Sequence, residues 1–200
     1  MKMIKPSGLR KMWMVVLVVI SGFFGIVQAE AAAKVLVETD PATFAMEGYA
    51  VHLRVKPESI KQWALGFGVY ALDFPDILVD LNSKNKNKGW DVRLVQGYGP
   101  FMDYYFSEDR RGWLVGVQAA LQRFRLKNTS VSSSEASFTN LLIMPRVGYQ
   151  WFPGKSGFYL FQWFGMGYTT KLHGNTELGT LSYNVAPSIF FGTLHVGYEF

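Results

Sequence analysis

Apolar and polar residues alternate along most of the chain from Thr43 onward, in segments separated by clusters of turn-forming residues. Such alternation is typical of β-strands, in which successive side chains point to opposite faces of a sheet. It predicts strands near residues 44–55, 63–73, 90–106, 113–127, 138–152, 158–172 and 188–200, with a short helix over 75–81. The pattern therefore indicates an all-β protein.

The two faces of each predicted strand differ in character. In the segment 113–127, one face carries Trp113, Val115, Val117, Ala119 and Leu121, and the other carries Leu114, Gly116, Gln118, Ala120 and Gln122. A soluble barrel would turn its large apolar face inward, whereas a membrane barrel turns that face to lipid and keeps small or polar groups in its lumen.

Three further features favour the membrane barrel. Glycines gather on the polar faces, Lys and Glu gather in the loops, and aromatic residues such as Trp63, Trp113 and Trp151 stand at strand ends, as in interfacial girdles. The predicted strands are also longer than the roughly 5–6 residues usual in soluble proteins. The sequence therefore predicts a closed antiparallel transmembrane up-and-down β-barrel.

The predicted strands number seven, whereas single-chain bacterial barrels have an even number. An eighth strand is therefore expected, and two segments are candidates for it. Lys34–Thr39 (KVLVET) would leave the long loops outside the cell and the tight turns in the periplasm. Leu178–Ala186 (LGTLSYNVA) would reverse that arrangement, and the sequence leaves both options open.

The start of the chain has the features of a secretory signal peptide. Four basic residues, Lys2, Lys5, Arg10 and Lys11, precede an apolar run that is short against the roughly 20 residues of a spanning helix. We expect cleavage after residue 29, or alternatively after residue 31, which leaves a barrel domain over residues 30–200. An uncleaved membrane anchor is the alternative.

Removal of this segment lowers the formal net charge from +5 to +1, because it carries those four cations and no acid. The basic character therefore belongs to export and does not support a nucleic-acid partner. The chain contains no cysteine, so neither a disulfide nor a lipid-bearing cysteine is expected.

The last strand ends in an aromatic residue, Phe200, with Tyr198, Val196 and Leu194 on the same face. In this feature, and in stretches such as GWDVRL, DYYF, FTNLLIMPRVGY and HVGYEF, the chain resembles small bacterial outer-membrane β-barrel proteins of eight strands. The resemblance implies an outer-membrane location and contact with lipid and lipopolysaccharide. It also implies that Phe200 and Tyr198 form the signal read by the barrel-assembly machinery.

Charged residues of both signs fall on the predicted inward faces. They are Arg54, Asp91, Arg93, Asp103, Arg146, His195 and Glu199. An eight-stranded barrel is barely wide enough for its own side chains, and buried charges persist when they are paired. The sequence therefore predicts a network of paired charges that closes the lumen, with a small pore as the alternative.

The histidines do not form a recognisable catalytic or metal-binding motif. None of His52, His173 and His195 is followed two residues later by a serine, the spacing that would place both side chains on one strand face. His195 and Glu199 would lie roughly 13 Å apart along a strand, too far to share a metal. We therefore expect no cofactor and no metal, although His173 with Ser182 and Glu177 could still meet across loops.

These observations predict a monomeric protein with a structural or surface-interaction role in the cell envelope. The basic loop Asn82–Gly89 (NSKNKNKG) suits lipopolysaccharide phosphates, with a plain solvated loop as the alternative. Two other functions stay open. Some small outer-membrane barrels modify lipids, as deacylases or acyltransferases, and a soluble secreted barrel of lipocalin-like shape would carry a ligand.

Overall fold

The computed structural model describes residues 33–80 and 82–200, and of Ser132 and Ser133 it describes the backbone alone. The predicted signal peptide lies outside these residues. The elements are β1 (Lys34–Thr39), α1 (Ala42–Ala45), β2 (Tyr49–Lys56), β3 (Trp63–Phe74), α2 (Asp76–Asp80), β4 (Trp90–Tyr105), β5 (Gly112–Asn128), β6 (Val131–Trp151), β7 (Phe158–Gly174), β8 (Glu177–Leu178), β9 (Leu181–Ser182) and β10 (Ser188–Glu199). Within the described ranges, neither helix is long and apolar enough to cross a membrane.

Eight of these strands form a closed antiparallel barrel in the order β1-β10-β7-β6-β5-β4-β3-β2. β8 and β9 form a separate two-stranded sheet within the connection from β7 to β10. The predicted all-β, closed, up-and-down barrel of eight strands is thereby confirmed. β1 supplies the eighth strand, because Leu36 to Thr39 pair with Glu199 to Val196 of β10 and close the ring. The alternative over Leu178–Ala186 was wrong.

The two ends of the barrel differ in the length of their connections. The first end, here called the turn end, has the short connections 57–62, 106–111 and 152–157 together with the start of β1 and the end of β10. The other, the loop end, has the longer connections 40–48, 75–89 and 175–187 together with the two-residue turn 129–130. This is the arrangement expected of outer-membrane barrels, whose periplasmic turns are short.

The segment 128–136, which lies between the strands predicted over 113–127 and 138–152, is mostly strand. β5 and β6 continue as a hairpin in which only Thr129 and Ser130 lie between the strands, and Asn128 pairs with Val131. These strand ends were predicted wrongly because the polar residues of the stretch NTSVSSSEA resemble loop composition. Alternate inward positions, Ala136 and Phe138, are buried and keep the strand periodicity.

The outward face of β5 changes character along its length. From Trp113 to Leu121 it is apolar, and from there it carries Arg123, Arg125 and Lys127. The same apolar zone continues around the barrel as a band of outward side chains, here called the apolar belt. Its exposed members include Val37, Val51, Leu65, Val115, Val117, Ile143, Val147, Phe164, Met166, Phe190 and Leu194. Exposed aromatic residues border it at the turn end, namely Phe106, Trp113, Trp151, Phe158 and Phe200.

The interior also has two parts. Toward the turn end it is polar and charged, as predicted for the lumen of a membrane barrel. Toward the loop end it is a hydrophobic core that contains Leu72, Trp90, Val92, Leu94, Phe124, Leu126 and Phe138. The reason is that the strands extend beyond the apolar belt. There the outer face carries charges, so the inner face must supply the apolar surface for the core, as in a soluble barrel.

An extra residue in β4 reverses the direction of its side chains. Gly97 pairs with Tyr70 of β3, and Leu94 pairs with Leu72, so one more residue lies on β4 than on β3 between these pairs. Such a β-bulge moves every residue on one side of it to the opposite face. Trp90, Val92 and Leu94 are therefore buried, and the residues between them point outward.

Candidate functional site

Four charged side chains from four different strands meet in the middle of the lumen. Arg54 donates to Glu38 at 2.9 Å and also contacts Asp103. Arg146 makes a bidentate contact with Asp103, with its Nε 3.0 Å from Oδ1 and its Nη2 2.9 Å from Oδ2. The side chains of Arg54 and Asp103 are both 0% exposed. This set is here called the charged layer.

The charged layer is also held by uncharged neighbours. Tyr159 donates its hydroxyl to Glu38 at 2.9 Å, and the Arg146 guanidinium donates to the Gln118 carbonyl oxygen at 3.1 Å. Phe101 lies against both guanidinium groups, 4.9 Å from that of Arg54 and 4.6 Å from that of Arg146. Cation–π contact with a desolvated ring adds to the stabilisation of a buried arginine.

The charged layer has equal numbers of formal cations and anions, and its members contact one another directly across the lumen. Bidentate, charge-assisted pairs are among the strongest and most rigid polar contacts in proteins. An ion passing through would have to separate them. Glu38, which the sequence analysis did not select, is an essential part of this arrangement.

A second ionic cluster lies nearer the turn end. The Lys56 ammonium group donates to Glu199 at 3.0 Å, to the Gln150 side-chain oxygen at 3.2 Å and to the Arg110 carbonyl at 2.9 Å. Lys34 contacts the other carboxylate oxygen of Glu199 at 3.0 Å. Glu199 is thus inward and paired, but with lysines of this cluster and not with the charged layer.

Two of the predicted lumen residues lie elsewhere. Asp91 is exposed, and Arg93 is only half-buried and pairs with Asp73. Their assignment to the inward face was wrong because the bulge in β4 lies between them and Asp103. The bulge reverses the faces, so these two side chains point outward while Asp103 points inward. The structure instead brings Arg54, Asp103, Arg146 and His195 together.

Sequence reasoning missed Glu38 and Lys56. Glu38 shares a face with Leu36 in β1, a segment whose place in the barrel was left open. Lys56 follows Arg54 by two residues, and that spacing on a strand places both side chains on the same face. The sequence Arg54-Val55-Lys56 therefore already indicated that Lys56 points inward with Arg54.

Above the charged layer, toward the loop end, two histidines stack with ring centroids 4.7 Å apart. They are His52 and His195, and Trp163 donates its indole N–H to His195 Nε2 at 3.2 Å. The Nδ1 atoms of both histidines are buried without a hydrogen-bond partner among the described residues.

One potential ligand atom from each of Glu38, His52 and His195 lies within 4.8 Å of the others. Imidazole and carboxylate are common ligands of transition metals. The sequence analysis expected no metal and could not have found this group, whose members come from β1, β2 and β10. However, both Glu38 oxygens already accept hydrogen bonds, from Arg54 and Tyr159. The guanidinium group of Arg54 also opposes a further cation, so the geometry does not favour metal binding.

A cavity of about 890 Å³ begins at these histidines and extends toward the loop end. Its apolar lining comes mainly from inward residues of β3, β5, β6 and β10, among them Leu72, Phe74, Phe124, Phe138, Leu142, Met144, Ile189 and Phe191. Tyr183 and Lys84 border it near the loops. Burial raises the pKa of Tyr183 to about 12, so its hydroxyl is neutral at physiological pH.

The basic loop over residues 82–89 is fastened to the neighbouring loop. Asn82 and Asn85 each donate to the Asn184 carbonyl at 2.9 Å, and Asn184 donates its backbone N–H to Asn85 at 2.8 Å. Asn85 is buried, whereas Lys84, Lys86 and Lys88 are on the surface. The loop is thus an ordered part of the loop end.

The remaining predicted site residues are on the outside. Tyr198 and Phe200 lie side by side, with ring centroids 4.9 Å apart, and the backbone N–H of Phe200 donates to Val35 at 2.9 Å.

Glu177 and Ser182 are register partners in the small sheet. No hydrogen bond joins His173 to either of them within the described part of the chain.

Two solved structures are similar to this chain. The crystal structure of the N-terminal β-barrel domain of Pseudomonas aeruginosa OprF has a TM-score of 0.42 and 12% sequence identity, and the match covers 86% of this chain and 98% of that one. The crystal structure of Neisserial surface protein A (NspA) has a TM-score of 0.37 and 13% identity, with 84% and 92% covered. Both similarities concern the fold alone. No protein-family model matches the sequence, and no curated protein matches it.

Proposed function

We propose that the chain is an outer-membrane β-barrel protein with a structural or surface-interaction role and a lumen closed to ions. The apolar belt is the observation that carries the proposal. A band of exposed Val, Ile, Leu, Phe and Met side chains around a closed barrel would be unfavourable in water. Lipid is the environment in which such a band is stable.

The position of charges along the strands supports the same location. On β5 the outward face is apolar over Trp113–Leu121, about the 9–11 residues that a tilted strand needs to cross a bilayer. The basic residues that follow suit the anionic phosphates at the outer surface. A soluble carrier barrel would have the opposite pattern, with polar residues throughout its outer face.

A surface role is supported by the loop end. The long connections there are tied together through Asn82, Asn85 and Asn184, so they present an ordered surface. We expect this end to face the cell exterior, since the turn end carries the short turns and the aromatic terminus. The last strand, with Tyr198 and Phe200, is proposed to be the part that the assembly machinery reads.

Cell fractionation tests the location and the assembly signal together. Expressed with its leader in a Gram-negative host, the protein is expected in the outer membrane and to change its gel mobility on boiling, as folded barrels do. Deletion of Phe200 is expected to lower the amount in the outer membrane severalfold. The reason is that Phe200 is proposed to be part of the assembly signal. Its side chain is 75% exposed, so the deletion removes no buried side chain from the barrel.

The matched control for that deletion is Phe190→Ala, which removes another exposed aromatic residue from the same strand (72% exposed) away from the terminus. It should leave the outer-membrane level near that of the wild type. Equal levels of the deletion variant and the wild type would disprove the proposed assembly signal. Recovery of soluble wild-type protein from the periplasm would disprove the outer-membrane location.

The charged layer predicts that the protein does not conduct ions. Purified protein in planar bilayers is expected to show no steady single-channel current, because Arg54 and Arg146 occupy the lumen while bound to Glu38 and Asp103. Arg146→Ala removes one side chain from this layer and should produce measurable, irregular currents. Stable and ion-selective steps from the wild-type protein would contradict the plug and indicate a pore.

A further inference from the structure

Two arginines follow the apolar belt directly on the outer face of β5, on the side toward the loop end. Leu121 is the last apolar residue of this face, and its register partners are Tyr98 of β4 and Leu141 of β6. Arg123 and Arg125 come next on the same face, Arg123 exposed and Arg125 half-buried. Both guanidinium groups therefore lie where the outer surface changes from apolar to polar.

The height of these arginines corresponds to the headgroup layer of a bilayer. A strand rises about 3.3 Å per residue and is tilted by about 40° in membrane barrels, so two residues correspond to about 5 Å of height. Arg123 thus lies about 5 Å beyond Leu121, and Arg125 lies about 10 Å beyond it. The polar layer on each side of the hydrocarbon core is about 5–8 Å thick. Both long side chains can therefore reach the lipid phosphates of that layer.

The acids on the outer faces of the neighbouring strands are associated with other cations. Asp73 of β3 pairs with Arg93, and Glu135 of β6 pairs with Lys127 at 3.1 Å. Asp91 of β4 is the register partner of Lys127. These three carboxylates therefore stand beside Arg93 and Lys127, and not beside the two arginines that follow the belt.

Arg123 and Arg125 make no ion pair within the described chain. Arg125 is instead the register partner of another arginine, Arg93. Like charges directly opposite each other on paired strands are destabilising, and Asp73 is the counter-ion of Arg93 alone. A bound anion would stabilise this part of the surface by supplying the missing negative charge.

The neighbouring strand β6 places hydroxyl groups beside both arginines. Thr139 is the register partner of Arg123, and Ser137 is the register partner of Arg125. Both hydroxyl residues face outward, since Phe138 between them is buried. Register partners are about 5 Å apart, and guanidinium and hydroxyl groups are both donors to phosphate oxygens. These four outward side chains are here called the phosphate patch.

We propose that the phosphate patch binds a phosphate monoester on the lipid portion of lipopolysaccharide. This rests on the proposed outer-membrane location, with the loop end at the cell exterior. A phosphate monoester carries a charge of about −1.5 to −2 at neutral pH, which matches two arginines that lack counter-ions. A phosphodiester has a single charge and would leave one arginine unmatched. The acyl chains of the same molecule then lie along the apolar belt below Arg123.

Native mass spectrometry of the full-length mature protein in detergent micelles tests this proposal. The probe is lipid A with both of its phosphate groups, and the compared lipids are lipid A without phosphates and phosphatidylglycerol. We expect one molecule of the phosphorylated lipid A to bind to the wild-type protein. The other two lipids should bind at least about tenfold more weakly, the effect of losing one hydrogen bond to a charged group.

Two double variants separate the phosphate patch from the net charge of the protein. Arg123→Gln with Arg125→Gln should weaken the binding of lipid A by about 100-fold, or about tenfold for each arginine. Lys61→Gln with Lys155→Gln removes the same two charges from exposed positions at the turn end. This control should change the binding by less than about twofold, because surface charges this far away are screened by salt.

Any of three results would overturn the phosphate patch. The folded arginine variant binds lipid A as tightly as the wild type, the lysine variant loses as much binding as the arginine variant, or phosphatidylglycerol binds to the wild type as tightly as lipid A. The gel-mobility shift on boiling reports whether each protein has folded. Wild-type protein that is found in the outer membrane but does not bind lipid A would overturn the phosphate patch alone, whereas soluble periplasmic protein would overturn the proposed function.

Discussion

Asp103→Asn is expected to lower the free energy of unfolding by about 3–5 kcal/mol, the usual effect of removing one partner from a buried ionic group. The asparagine keeps the size of the side chain but removes the charge that Arg54 and Arg146 share. Two buried guanidinium groups would then have only Glu38 as a counter-ion. Urea titration in lipid vesicles, followed by the boiling-dependent mobility shift, measures the change in midpoint.

The control is the same substitution at a surface ion pair. Asp73 pairs with Arg93, and the two side chains are 35% and 27% exposed. Asp73→Asn is expected to cost about 0–1 kcal/mol, since exposed ion pairs contribute little. Equal, small effects of the two substitutions would mean that water reaches the charged layer freely, and the plug would then be incorrect.

Val117→Arg is expected to destabilise the folded protein by about 2–4 kcal/mol, the cost of a cation on the lipid face of a membrane barrel near the bilayer midplane. Val117 lies at the centre of the apolar stretch of β5 and is 39% exposed. The cost comes from lipid, because an arginine at a similarly exposed position in water would keep its hydration. The measurement is again the unfolding midpoint in vesicles.

Val95→Arg is the matched control, because this valine is 37% exposed and also points outward. It lies at the bulge of β4, between positions that pair with Phe124 and Arg123 of β5, and hence beyond the apolar belt. We expect a change within about 0.5 kcal/mol, as for most surface substitutions. If both variants lose the same small amount, the outer surface of the barrel is in water and the membrane assignment is wrong.

Local periodicity was sufficient to predict most of the barrel. In Trp113–Leu121 and in the last strand, large apolar residues alternate with small or polar ones because the two faces of the strand meet different environments. This alternation can be read from one strand without knowing which strands pair with it. The outward and inward faces of β5 predicted from this alternation are those of the structure. Arg54, Asp103 and Arg146 were assigned to the interior for the same reason.

The phase of β4 could not be obtained in this way. A bulge is a property of two paired strands, since the extra residue is visible only against the partner that lacks it. The sequence of β4 alternates acceptably on either side of Val95, so nothing local indicated that Asp91 and Arg93 point outward while Asp103 points inward. The hydrophobic core at the loop end was missed for a different reason, since the exchange of inward and outward characters beyond Leu121 is visible in the local sequence Arg123 to Lys127.

The sequence alone thus determined the fold class and the faces of most strands. The reason is that the alternation of apolar and polar residues within one strand already indicates which environment each face of the sheet meets. Tertiary structure decided that Glu38 completes the charged layer, that Lys56 pairs with Glu199, and that His52 stacks on His195. It also decided that a cavity extends from these histidines toward the loop end. These contacts join strands far apart in the chain, and they depend on register and strand length, which are set only when the ring closes.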